Sequence, residues 1–143
     1  MAGEFAATVD LKLRPSFRAL RLIFVLHIVC IGLLPFAMPS GWPMLVLVAA
    51  FAGSWFWLRR HPALGYGPRA IERVIWHADG QWTIFVGGRE ARATLDGRSV
   101  IHRRLLVLNF RSEASGRRYA RLITSADAAP EPLRRLRARL LST

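Results

Sequence analysis

Two long apolar runs dominate the first third of the chain. Leu22 to Met38 is a stretch of 17 residues without a formal charge, and Trp42 to Leu58 is another 17, separated only by Pro39, Ser40 and Gly41. Runs of this length with no polar stripe predict helices surrounded by apolar material on every side. At about 1.5 Å per residue each reaches roughly 26 Å, a little short of a hydrocarbon core of about 30 Å. Arg18 and Arg21 before the first run and Arg59 and Arg60 after the second make up the difference. An arginine stem lies in hydrocarbon while its guanidinium reaches the headgroups. Trp42, Trp55 and Trp57 fall near the ends of the second run, where an indole suits the interface. The pattern predicts a transmembrane helical hairpin over 17–60 with its turn at 39–41, and Pro35 marks the end of the first helix or a kink near it.

Other readings of these runs are weaker. As a secretory signal, the first run would be cleaved near Ala37 or Ser40 and leave the second as an anchor. As soluble core, two helices apolar all round would need far more chain than the roughly 80 residues that remain.

Past Arg60 the pattern changes. His61 to Pro68 holds Pro62, Gly65, Gly67 and Pro68 and reads as part of a linker over 61–70, after which a β domain occupies 71–143. Short β-prone runs then alternate with turn pairs: Arg73 to His77 before Asp79-Gly80, Gln81 to Val86 before Gly87-Gly88, Glu90 to Leu95 before Asp96-Gly97. Such pairs supply the positive φ angles of two-residue hairpin turns. Two further strands, Arg104 to Arg111 and Arg117 to Thr124, flank a turn around Ser112 to Gly116. Alternation gives an inner face of Trp82, Ile84 and Val86, then Leu106, Leu108 and Phe110, with Tyr119, Arg121 and Ile123 sharing one side of the last strand. A C-terminal helix over 130–141 follows, with Asp127 or Ser125 as its cap. Leu133, Leu136 and Leu140 lie on one face and Arg134, Arg135 and Arg139 around the other. The fold class is therefore an α+β membrane protein: a two-helix transmembrane hairpin, then a small antiparallel five-stranded sheet or barrel with a C-terminal helix.

Charge adds orientation and a partner class. The formal balance is +12 and Lys12 is the single lysine, so arginine carries nearly all of it. Arg14, Arg18 and Arg21 lie before the first apolar run and Arg59, Arg60 and Arg69 after the second, against no charge in the connecting turn. The positive-inside bias puts both termini, including the segment 1–16, in the cytoplasm. An acidic partner protein, anionic lipid and nucleic acid all suit this charge. The apolar runs favour partners at the membrane, and no RNA-binding signature accompanies Arg103-Arg104 or Arg117-Arg118, so nucleic acid is not expected. Candidate partner-binding residues are Arg103, Arg104, Arg117, Arg118, Arg134, Arg135 and Arg139. The basic helix either covers the sheet with its leucines or lies on anionic lipid. Ala49, Ala50, Ala52, Gly53 and Ser54 offer a small-residue surface for a homodimer through the hairpin.

Catalytic chemistry leaves no mark on the chain. His61, His77 and His102 lack metal-ligand spacing, Cys30 is the only cysteine, and no carboxylate pair or nucleotide-binding loop is present. No metal, cofactor or enzymatic activity is expected. His27 is the one ionisable side chain inside the apolar runs, a position that marks function by default. A neutral imidazole bonded to the other helix or to a backbone carbonyl is the stronger explanation.

Several stretches in a fixed order carry a resemblance. They are Leu13 to Ser16 with Arg18-Ala19 and His27, and Trp42 opening the second run with Arg59-Arg60 closing it. Asp79-Gly80-Gln81-Trp82, Leu106 to Ser112, Gly116-Arg117-Arg118, and Asp127 before Leu133-Arg134-Arg135-Leu136 follow. Over nearly its whole length the chain resembles the YgfX, or CptA toxin, family of proteobacterial inner-membrane proteins. That resemblance implies a non-enzymatic inner-membrane toxin whose partner is the small soluble protein SdhE and whose targets are the cytoskeletal proteins FtsZ and MreB. It supplies no catalytic residues. An envelope or respiratory-complex assembly factor that binds anionic lipid or an acidic protein is the alternative. Met1 to Phe5 departs from the family pattern and reads as a remnant outside the natural chain.

Overall fold

A computed structural model describes residues 7–142, so Met1 to Phe5 lies outside the described residues. The first element among the described residues is a strand that the hydropathy pattern did not announce, β1 (Val9–Lys12). Helices α1 (Phe17–Ala37) and α2 (Trp42–Leu58) follow, then a single 3-10 turn (Pro62–Leu64). Six strands come next: β2 (Ile71–Trp76), β3 (Trp82–Val86), β4 (Arg89–Leu95), β5 (Val100–Ile101), β6 (Leu105–Ser112) and β7 (Arg118–Thr124). Helix α3 (Pro130–Leu141) closes the chain.

Helices α1 and α2 touch along a stripe of Ile23, His27, Cys30 and Leu34 on one side and Val48, Phe51 and Trp55 on the other, all half-buried. Phe24 and Trp55 pack with ring centroids 5.0 Å apart. Every other face is bare: Leu22 is 71% exposed and Phe36 88%, a state that water would oppose and lipid accepts. Of the two helices, α1 with 21 residues is long and apolar enough to cross a membrane, whereas α2 stops at 17. Pro35 sits within the last turn of α1, which ends two residues later at Ala37. Pro39 to Gly41 makes the turn, and Pro43 occupies the opening turn of α2, where its missing N–H goes unneeded.

Among the described residues the sheet has seven antiparallel strands rather than five, in the order β1-β2-β3-β4-β6, with β7 along the other side of β6 and β5 continuing the β4 side. Two strands account for the difference. β1 pairs with β2 in the register Val9↔Trp76 and Leu11↔Val74, across the whole intervening hairpin. β5 arises because Asp96-Gly97 is not a two-residue hairpin turn. Gly97 does not adopt positive φ, Asp96 Oδ1 accepts the Arg98 N–H, and β4 pairs with β6 instead of with the next segment. At Gly87-Gly88 both residues have positive φ, 56° and 74°, as the hairpin turn there requires.

One inner face runs through the sheet. Leu11, Val74, Ile84, Leu106, Leu108, Phe110 and Ile123 are each at most 1% exposed, and the Trp76 and Trp82 rings stack with centroids 4.4 Å apart. Helix α3 covers that face with Leu133 and Leu136 buried and Leu140 packed alongside. Leucines inward is one of the two orientations open to this helix, and it leaves Arg134 and Arg135 outside. The cap differs from expectation: Ala129 precedes the helix and makes no side-chain cap bond. Asp127 is buried and instead accepts the Thr124 N–H at 2.8 Å, closing the turn after β7.

β1 is held to its neighbour by a forked ion pair in which Arg73 Nε donates to Asp10 Oδ1 at 2.7 Å and Nη2 donates to Oδ2. The Arg73 hydrogen bonds lower the Asp10 pKa from the ordinary 3.8. A depressed folded-state pKa means that this stabilisation is complete above the ordinary carboxylate value and is lost as pH falls through the lower one. Acid unfolding of Asp10→Asn, followed by tryptophan fluorescence, should therefore depend less on pH below about 4 than that of the unaltered protein.

Candidate functional site at the base of the hairpin

The hairpin is an insertion between two paired strands, and both of its legs are bonded to the sheet domain. On the incoming leg, Leu13 N–H donates to Glu72 O at 2.8 Å, Arg14 N–H to Asp127 O at 2.7 Å and Ser16 N–H to Leu64 O at 2.7 Å. The last of these ties the start of α1 to the 3-10 turn that follows α2. The segment 61–70 is therefore packed structure rather than a loose tether: Leu64, Ala70 and Ser16 are all buried.

Arg121 occupies the centre of this joint. It lies on β7 with its side chain turned inward, only 1% exposed, and its Nη2 donates to the Arg14 carbonyl. Its Nε and Nη1 are buried without a hydrogen-bond partner among the described residues. Burial pushes the guanidinium pKa down from its usual value, and the charge of the Asp127 carboxylate works the other way. The guanidinium stays protonated, as arginine does in proteins. Gly65 makes the space: its φ is +90°, and a Cβ there would collide with the Arg121 guanidinium. Four segments thus converge on one buried cation: the approach to α1, the turn after α2, β7 and the loop before α3. The signal in the sequence was an arginine between Tyr119 and Ile123 on an inward-facing strand.

The arginines singled out from the sequence do not form one surface. Arg103 and Arg104 are exposed in the turn before β6, and Arg117 and Arg118 are exposed at the start of β7. These pairs sit at opposite ends of the β6–β7 hairpin, since Leu105 faces Thr124 and Arg111 faces Arg118, a separation of roughly 20 Å. Arg134 and Arg135 point outward from α3, and both donate to Glu131, at 3.3 and 3.2 Å. Arg139 turns inward: its guanidinium lies 4.0 Å from the Trp76 ring centroid and donates to the Trp76, His77 and Ala7 carbonyls. Its contacts tie α3 to the first strands of the sheet.

His27 makes both of the bonds that its structural explanation requires. Nδ1–H donates to the Ile23 carbonyl at 2.7 Å, leaving Nε2 to accept from the Ser54 hydroxyl of α2 at 3.2 Å. The ring also meets Phe51 edge-on at 5.9 Å. Interhelix hydrogen bonds in membranes average about 0.6 kcal/mol. His27→Leu and Ser54→Ala should each cost about that much in thermal unfolding in detergent, and the double variant little more than either. Ser54 is thus engaged by α1, whereas Ala49, Ala50, Ala52 and Gly53 remain exposed on α2 and leave a small-residue surface uncovered.

Beside the joint, His61, Pro62 and Ala63 on one wall and Arg117 to Ala120 on the other enclose a cavity of about 450 Å3, with Arg69 at its side. Among the described residues, no group of three or more histidine, cysteine, aspartate or glutamate side chains comes together.

No curated protein and no solved structure matches the chain. A family model described as the membrane-bound toxin component of a toxin-antitoxin system matches residues 7–143, from just before β1 to the last residue. An apolar hairpin inserted into a basic, arginine-bearing sheet domain, together with that match, places the chain in the CptA toxin family, the membrane-bound toxins of toxin-antitoxin systems.

Proposed function

We propose that the protein is a non-enzymatic toxin that spans the bacterial inner membrane twice, with both termini in the cytoplasm, and acts by binding other proteins through its sheet domain. The observation that carries this reading is the pairing of β1 with β2 across the hairpin. β1 belongs to the same sheet as the strands after α2, and α3 packs on that sheet. A hairpin leaving and re-entering one folded domain must cross the bilayer an even number of times. The arginines at its base, against an uncharged turn, favour the cytoplasmic side for that domain.

The antitoxin in this reading is a small acidic soluble protein of the SdhE type, and the downstream targets are FtsZ and MreB. The exposed arginines of the sheet domain, Arg103, Arg104, Arg117, Arg118, Arg134 and Arg135, supply the attraction. Electrostatic steering of this kind speeds encounter and weakens with salt. Co-purification of the full chain in detergent with an SdhE-like protein tests it. Capture at about 50 mM salt that falls steeply by 500 mM is expected. No capture at low salt, with both proteins folded, would contradict the proposal. A homodimer through the exposed small residues of α2 is part of the same proposal, and cysteine cross-linking at Ala52 in membranes tests it.

A further inference from the structure

The cavity beside the joint has the composition of an anion site. Arg69 lines it from the segment after the 3-10 turn, and Arg117 and Arg118 line it from the start of β7; His61 contributes a ring whose Nδ1 already accepts the Ala63 N–H at 3.2 Å. In a neutral ring that bond leaves the proton on Nε2 as a further donor. Among the described residues, no carboxylate lines the cavity. An adjoining recess of about 150 Å3 shares Arg118 and Tyr119 with it and holds Asp96, which is not within ion-pairing distance of Arg118. Among the described residues, none of Arg69, Arg117 and Arg118 has an ion-pair partner. Three arginines without an ion-pair partner thus line one recess, and the planar fork of arginine matches phosphate oxygens.

Position selects the source of that phosphate. His61 follows the last residue of α2 by three positions, and the Trp57 and His61 rings are 4.8 Å apart. With the hairpin in the bilayer, the cavity mouth lies at the depth of the headgroups on the side of the sheet domain. We infer that this cavity binds the phosphate of an anionic phospholipid headgroup, an inference that rests on the membrane-spanning reading of the hairpin. The bound headgroup links the turn after α2 to β7 and so joins lipid to the sheet. Its recognition is local and separate from the outward arginines of α3.

The test uses the full chain in a neutral detergent and three probes: dihexanoyl phosphatidylglycerol, dihexanoyl phosphatidylcholine and inorganic phosphate, with binding read by microscale thermophoresis. The unaltered protein should prefer phosphatidylglycerol to phosphatidylcholine by about tenfold. Arg69→Gln/Arg118→Gln should reduce that preference to about twofold or less, with an unchanged melting temperature because both side chains are exposed. Arg89→Gln/Arg92→Gln, which removes the same charge from two exposed positions of β4, should keep it. Equal affinity for the two lipids, or an equal loss in the control variant, overturns the inference. Inorganic phosphate binding as tightly as phosphatidylglycerol overturns the lipid assignment in favour of a soluble phosphate. Carbonate extraction of the membranes separates the two levels. A chain that stays in the pellet but shows no headgroup preference removes only this inference, while a chain released into the supernatant removes the membrane-spanning reading itself.

Discussion

Gly65→Ala is expected to destabilise the protein by about 2–5 kcal/mol, although it adds a single methyl group. Part of that cost is backbone: an alanine held at φ +90° is strained by about 1–2 kcal/mol. The rest is steric, because the new Cβ meets a guanidinium that is itself walled in, and overpacking of this kind costs about 1–3 kcal/mol. Arg121→Ala alone should also destabilise, through a vacated volume and the loss of the donor to the Arg14 carbonyl. Together the two should cost less than their sum by about 1–3 kcal/mol, since the alanine at 65 fills space that the arginine has left. Thermal unfolding of the four proteins in one detergent measures this coupling. Additive costs would mean that Gly65 and Arg121 do not share the joint.

A fragment of residues 71–143, the β domain as the sequence divides it, should fail to fold. It retains six of the seven strands but lacks β1, whose removal uncovers Val74 and Trp76 and takes away Val9, Leu11 and the adjoining Leu13, all buried. Burial of such side chains contributes about 1.5–3 kcal/mol each, and a small domain has only about 5–15 kcal/mol in hand. Fusing residues 7–16 to the N-terminus of the fragment through a flexible linker should restore cooperative unfolding and the near-ultraviolet signal of the Trp76–Trp82 stack. The same logic gives Leu11→Asp the phenotype of the fragment, because a carboxylate would be placed at a position 1% exposed. Dispersed amide resonances from the bare fragment would contradict this.

Those two predictions show where sequence pattern reaches and where it stops. The apolar helices, β2 to β4, β6 and β7 were legible because each is encoded locally, by a continuous run or by alternation between glycine turns. β1 alternates too, Val9-Asp10-Leu11-Lys12, but its partner lies beyond the hairpin and no turn announces the pairing. β5 is two residues long and adopts its place because β6 offers an edge beyond the end of β4. Asp127 was read as a helix cap because aspartate before a helix usually is one; burial beside Arg121 gave its carboxylate a different donor, the Thr124 N–H. Among the arginines, composition marked them all as alike. Packing separates Arg121 and Arg139, which hold the fold together, from the outward pairs, and places Arg117 and Arg118 on a cavity with Arg69 and His61. The structure also changes the meaning of the segment after α2, from a spacer into one wall of the joint.

If the hairpin is inserted in one domain that stays on one side of the membrane, its turn and the end of α3 must be on opposite sides. Single cysteines introduced as Ser40→Cys and Ser142→Cys in a Cys30→Ser background report this through a membrane-impermeant maleimide applied to intact spheroplasts. The account predicts that the cysteine at position 40 is labelled from outside and the one at 142 only after lysis. Labelling of 142 in intact spheroplasts, or of both positions only after lysis, would contradict it.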